Sequence, residues 1–289
     1  MKVVRRIINW LVNISLIFFG VLFLYAILKI FVFDSFPVNT TSMFPTIQPG
    51  DRILVNKMIF GARIYKSLDF EEGKPLKSWR MPGWRNIRHN DVVVFNYPKG
   101  SKTGQISFNF STVYVKRCIG LPGDTLSIRN GFFYNTSLDA PLGLIAAQQQ
   151  LADADTLSYK GLYHALKHAR PHGWNILNAG PLYIPKKGTT TVLTPLNYRL
   201  YKGIIEYETQ GKTTIEGDSV FLDGIPIDEY QFQGNYYFMC GDYLINSVDS
   251  RSWGVIPEDF IIGVSPRVLY AKNARGKMNW NRFLKTHTL

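Results

Sequence analysis

The chain has 289 residues, 46% of them hydrophobic and 19% charged, with a formal net charge of +12. That length supports one large domain or two modest ones, and that mix excludes a disordered chain or one that crosses a membrane many times. The basic residues stand singly or in pairs, without a zinc-knuckle spacing or an aromatic RNA-binding motif. The charge therefore argues for anionic lipid headgroups and against nucleic acid as a partner. Lys2, Arg5 and Arg6 open the chain, and from Ile7 to Leu28 no charge follows. At ~1.5 Å per residue that run spans about 33 Å, enough for a bilayer core. Trp10 and Tyr25 stand where interfacial aromatics are expected. A cleaved signal peptide is the alternative, but Lys29-Ile-Phe-Val-Phe-Asp34 stands where a small-x-small site would be needed. The positive-inside rule assigns residues 1–6 to the cytoplasm and 7–33 to a single-pass anchor in the inner (cell) membrane. Everything from residue 34 is expected on the periplasmic side.

Beyond the anchor, short runs rich in β-branched and aromatic residues alternate with turn signals. Asp51–Val55, Asp91–Phe95 and Thr112–Lys116 read as strands. Lys57 to His89 is a polar excursion carrying Trp79 and Trp84. From Leu138 to Arg170 the pattern predicts a helix, and strands are expected around Thr190–Leu193, Gly203–Tyr207 and Ser219–Leu222. The predicted organisation is mainly β: a first core part over 34–124, an inserted α+β lobe over 125–235, a second core part over 236–270, and a C-terminal tail over 271–289. The core is expected to be barrel- or sandwich-like. Cys118 and Cys240 are the two cysteines, too few for a disulfide framework or a zinc site unaided. They can form one bridge or stay as free thiols, the reading favoured here.

Histidine, the commonest general base, occurs five times. His164 and His168 are spaced i,i+4, but no HExxH glutamate accompanies them and the stretch is basic, so a solvated helix face is the better reading. His89 has no nucleophile signature nearby. Two other residues are more informative. Ser42 lies on a loop stiffened by Pro37, Pro45 and Pro49, which suits an oxygen that must be held near attack geometry, although most loop serines only cap turns. Lys116 ends an apolar strand and shares a face with Tyr114 and Cys118. An apolar pocket disfavours an ammonium and releases a neutral amine able to act as a base; taken alone, a snorkelling surface lysine is the commoner case.

Four motifs in order carry a resemblance. Ser42-Met-Phe-Pro-Thr46 with Pro49-Gly-Asp-Arg-Ile-Leu-Val55 resembles the nucleophile box of bacterial type I signal peptidases, and Tyr114-Val-Lys-Arg-Cys-Ile-Gly-Leu-Pro-Gly-Asp124 is similar to their general-base box. Asn90–Pro98 looks like the strand between them, and Gly241–Arg251 followed by Trp253-Gly-Val-Ile-Pro-Glu-Asp259 resembles the last box. The resemblance implies a core of signal-peptidase type and a serine endopeptidase with Ser42 as nucleophile and Lys116 as general base. It implies an oxyanion hole from the Ser42 N–H and the Thr40 hydroxyl. Ser247 would orient the lysine, with Asp249, Arg251 and Arg117 as a supporting charge network. The substrate, a secretory preprotein cut after a small-x-small site, would lie as a strand between Phe36–Asn39 and Thr112–Val115. Phe36, Val38, Met43, Tyr114 and Val115 would line its pockets. No metal or cofactor is implied. Tyr243, Leu244 and Ile245 depart from the polar Asn-Arg-Asp usual in that family, as does Thr41 from a small residue. Two other readings remain: a self-cleaving relative of repressor type, and a non-catalytic anchored scaffold.

Overall fold

The computed structural model describes residues 2–98, 105–154, 173–273 and 275–287. Helix α1 (Lys2–Ile27) runs into one π-helical turn, Leu28–Val32. Together they are long and apolar enough to cross a membrane, with a mean hydropathy of 2.5 and no buried residue. A helix apolar on all sides needs an apolar surround, and the rest of the chain does not supply one. Lys57 ties the helix exit to the domain: its Nζ donates to the Lys29 carbonyl at 2.7 Å and pairs with Asp34 at 3.2 Å.

The core is a seven-stranded sheet in the order β1-β2-β17-β5-β6-β15-β16, antiparallel throughout. Its strands are β1 (Phe33–Pro37), β2 (Asp51–Asn56), β5 (Val92–Asn96), β6 (Val113–Gly120), β15 (Tyr236–Cys240), β16 (Ile256–Pro257) and β17 (Ile261–Ala271). Strand β2 alternates buried and half-buried residues, the pattern of a strand with one covered face, whereas all of β5 is buried. Register shifts along β17 bend it, as bulges do, and the sheet curls. In consequence Phe36 and Val38 at one end of the strand order pack in the same cluster as Val113 and Val115 of β6. The chain is thus mainly β behind an apolar helix. The excursion after β2 carries a small hairpin, β3 (Arg63–Tyr65) with β4 (Ser78–Arg80). Trp79 and Trp84 are exposed on it.

Residues between β6 and β15 build a second body. It contains the sheet β8-β7-β9 (Phe132–Asn135, Thr125–Arg129, Ala179–Tyr183), the pair β10-β14 (Thr190–Val192, Glu229–Gln231) and the sheet β11-β12-β13 (Thr213–Glu216, Ser219–Leu222, Ile225–Pro226). Helices α2 (Ile145–Ala152) and α3 (Tyr198–Thr209) complete it. One apolar cluster runs from Leu126, Leu151, Tyr201 and Ile205 to Ile119, Phe238 and Cys240, so this body packs on one face of β6 and β15. The strand expected over Gly203–Tyr207 is part of α3. Tyr198, Tyr201, Ile204 and Ile205 recur at helical spacing and are buried together, and that tertiary packing overrides the β preference of the short window. Of the helix expected over 138–170, the described residues form α2 from Ile145 to Ala152, capped at Asp153; residues 155–170, with His164 and His168, and His172 beyond them lie outside the described residues. Both cysteines are free and buried. They sit on neighbouring strands but face different clusters, on opposite sides of the sheet.

Candidate active site

Ser42 begins a turn between β1 and β2. Phe44 N donates to Thr41 O and Ile47 N to Met43 O, both at 2.9 Å, while Met43 and Ile47 have no exposed surface and fasten the turn to the core. Met43 and Val38 therefore back the site from below, and Phe36 and Val115 reach the surface beside it. Tyr114, on the opposite face of β6 from Val115, stacks with Tyr97 and meets Trp253 edge-on. Of the five residues expected to line substrate pockets, four share one cluster and Tyr114 belongs to another.

Lys116 is 2% exposed, and its Nζ is hydrogen-bonded to Ser42 Oγ at 2.5 Å. The ring of Tyr114 lies 5.4 Å from the same nitrogen. Burial lowers the Lys116 ammonium to about 8, with the charge of Asp249 opposing. The nearby buried arginines are treated differently. Arg117 makes two bonds to Asp242, 2.7 and 2.6 Å, and Arg251 two to Asp249, 2.9 and 2.8 Å. Burial alone would raise the Asp249 carboxyl; the charge and hydrogen bonds of Arg251 outweigh it and hold the group below its usual range. Among the described residues no carboxylate lies within ion-pair distance of Lys116. A buried cation without a paired anion is the one that can give up its proton.

The segment after β15 closes over the Ser42 turn. Tyr243 N donates to Ser42 O at 3.0 Å, and the Tyr243 ring meets Phe44 edge-on. A side chain at Gly241 would run into Ser42 O and Ser247 Oγ, so glycine is what lets the two segments touch. The less polar loop over 243–245 thus still holds the turn, through backbone and through buried Leu244, whose carbonyl accepts from Arg251 at 3.0 Å. Ser247 Oγ is buried and helps keep Asp249 ionised, yet it makes no hydrogen bond of good geometry, to Lys116 or to any other described group. Thr40 is exposed beside Ser42. Among the described residues, no group accepts from the Ser42 N–H.

Two strand edges flank the turn. Among the described residues, strand β1 pairs only with β2, which leaves its outer edge open there. Strand β6 pairs with β15 from Arg117 onward, so Val113–Lys116 are paired with β5 on one side alone. Both open edges belong to strands that meet in the cluster under Ser42.

A family profile described as signal peptidase, peptidase S26 matches residues 7–270. The chain belongs to this family. It is 26% identical over 263 residues to a signal peptidase I of Buchnera aphidicola subsp. Schizaphis graminum, covering 86% of this chain and 72% of that protein. Signal peptidase I of Pseudomonas aeruginosa is 26% identical over 267 residues, 91% of this chain and 71% of that one. For a Helicobacter pylori signal peptidase I the figures are 25% over 260 residues, 87% and 79%. The chain is a membrane-anchored peptidase of this family.

The motif reading gave no role to Asp51, Thr46, Asp242 or Arg282, all of which the structure ties to the site. A signal was present: three of the motifs contain a Gly-Asp pair, at 50–51, 123–124 and 241–242. Each of those aspartates is met by a distant basic side chain: Arg282, His89 at 2.7 Å, and Arg117 respectively.

Proposed function

We propose that the protein is a serine endopeptidase that removes N-terminal signal peptides from exported preproteins after small-x-small sites. The observation that carries this reading is the 2.5 Å hydrogen bond between Ser42 Oγ and a buried Lys116 that has no carboxylate partner among the described residues. Neutral Lys116 takes the Ser42 proton as Oγ attacks the scissile carbonyl. The oxyanion that forms is received by the Ser42 N–H and the Thr40 hydroxyl, fixed donors of the kind whose single loss costs about 3–4 kcal/mol of barrier. Lys116 then delivers the proton to the departing amine, and the same base activates the water that releases the acyl group. Arg117, Asp249 and Arg251 hold the strands around the dyad, and the buried free hydroxyl of Ser247 is the partner proposed to orient the lysine. The substrate lies as an added strand between the open edges of β1 and β6, an arrangement in which backbone bonds give affinity and side-chain pockets give selectivity. Phe36 and Val115 are the pocket residues at its surface, with Val38 and Met43 behind them and Tyr114 at the flank. The basic start of α1 faces the cytoplasm by the positive-inside rule, which sets the peptidase domain on the outer side of the inner membrane.

The test uses the full chain in detergent micelles with a precursor carrying an Ala-x-Ala site. Ser42→Ala and Lys116→Ala are each expected to abolish processing, by about 10⁴-fold or more. Cleavage that survives either change refutes the dyad. The wild-type rate should rise with pH through about 8, because only the deprotonated lysine is a base. A rate flat from pH 6 to pH 10, spans of about two units on either side of that value, would point to another base.

A further inference from the structure

The residues that follow β17 lie beyond the family match and turn back beneath the nucleophile turn. Lys272 N donates to Gly50 O at 2.9 Å, and Gly50, at φ +93°, has no room for a side chain against the Lys272 carbonyl. Residues 285–287 return along β17: Val268 N donates to Lys285 O at 2.8 Å and His287 N to Pro266 O at 3.2 Å. Between these contacts Arg282 is buried while Trp280 and Phe283 beside it are exposed. The Arg282 guanidinium grips Asp51 through both carboxylate oxygens, with Nε to Oδ1 at 2.6 Å and Nη2 to Oδ2, and Nη2 also donates to Thr46 O at 3.0 Å. Asp51 in turn accepts from Gln48 N at 2.8 Å. The turn that starts at Ser42 is thus held at both ends, by Tyr243 N on Ser42 O and by Arg282 on Thr46 O.

We infer that Arg282 is a positioning residue for the nucleophile: through Asp51 and the Thr46 carbonyl it fixes the 42–51 turn so that Ser42 Oγ meets Lys116. The inference rests on the Ser42/Lys116 reading. Burying two charges in this way is a poor source of net stability, because desolvation offsets most of their attraction. What the pair does supply is a single geometry, since a planar guanidinium with two carboxylate bonds and one carbonyl bond admits one placement of the turn. Misplacing a reacting atom by about 1 Å can cost about 10²-fold in rate. Met43 and Ile47 anchor the turn in the core, and Arg282 sets its far end, so loss of Arg282 leaves Thr46 and, through it, Ser42 Oγ free to shift on that scale. His287 extends the same contact region: it is buried, its ring is 3.0 Å from Ser265 Oγ, and its carbonyl lies 3.5 Å from Arg117 Nη1.

The experiment measures kcat, KM and melting temperature of the full chain for Arg282→Gln, Arg282→Lys and the double change Asp51→Asn with Arg282→Gln, on the same Ala-x-Ala precursor, below each variant's melting temperature. Arg282→Gln is expected to lower kcat by about 10- to 100-fold with KM within about threefold of wild type, since the substrate edges are untouched. Arg282→Lys, which keeps the charge and one donor, is expected to recover part of the loss. The double variant leaves no buried unpaired charge, so its melting temperature should return toward wild type while kcat stays low. That split separates positioning from stability. A kcat that recovers along with the melting temperature, or an Arg282→Gln enzyme within about twofold of wild type, overturns the inference while a dead Ser42→Ala keeps the dyad standing. Cleavage that survives Ser42→Ala overturns the dyad and the inference together.

Discussion

The lobe between β6 and β15 holds a half-buried carboxylate and the sheet beside Ser42 holds fully buried charges, and the two regions satisfy them differently. In the lobe, Glu208 accepts from four neutral donors: the hydroxyls of Tyr230 and Tyr236 at 2.8 and 2.9 Å, and the N–H groups of Gln233 and Gly234 at 2.9 and 2.7 Å. Beside the Ser42 turn, Asp51, Asp242 and Asp249 are each locked to an arginine, and Lys116 has no anion at ion-pair distance among the described residues. The lobe's carboxylate organises a fold. The arginine pairs match each buried carboxylate with a buried cation, and Lys116, with no carboxylate at ion-pair distance among the described residues, is the group whose charge burial disfavours. Stability and reactivity are thus assigned to different side chains on the same few strands.

The sharpest way to break this contrast is to unpair an arginine. Asp249→Asn strands Arg251 in the interior and should cost about 3–5 kcal/mol, read as a shifted denaturation midpoint of the full chain. A loss no larger than that of a surface change would mean the pair is not the buried unit described here. Lys116→Met should do the opposite. The lysine falls from 10.5 to about 8 on folding, so the folded state binds fewer protons between those values. Wild-type stability therefore rises with pH across that window, and below about pH 8 the fold carries the whole cost of a desolvated charge. The methionine variant should gain about 3 kcal/mol at pH 7, and the gain should fade toward pH 10.5. An equal effect at both pH values would contradict the assignment of the lowered group to Lys116. In the lobe, Glu208→Gln should cost about 1–3 kcal/mol, because an amide cannot accept from all four donors, and should leave kcat on the precursor unchanged. A fall in kcat there would tie the lobe to the site in a way the present contacts do not.

How much of this could be read from the residues differs along the chain. The apolar helix and the β character were legible because each is a property of consecutive residues: an uncharged run, alternation along β2, Gly and Pro at turns. The ordered motifs single out Ser42 and Lys116, which the structure brings to 2.5 Å of each other, whereas bare periodicity leaves one as a loop serine and the other as a strand lysine. Helix α3 was hidden because Gly-Ile-Ile-Glu-Tyr is a strand-like window whose helical register shows only when Tyr198 and Tyr201 are counted with it. Arg282 was hidden for another reason. Nothing in Trp-Asn-Arg-Phe tells a buried guanidinium from an exposed one, and the partner that decides it is 231 positions away.

That separation also has a meaning in time. Chains are synthesised at about 5–20 residues per second, so Asp51 exists on the order of 10–50 s before Arg282 does. During that interval the serine turn, its strand and even the lysine, only 74 positions on, have all been made, while the clamp on Thr46 has not. The part of the site made earliest waits for residues made far later, and a newborn molecule holds Ser42 and Lys116 before it holds Arg282.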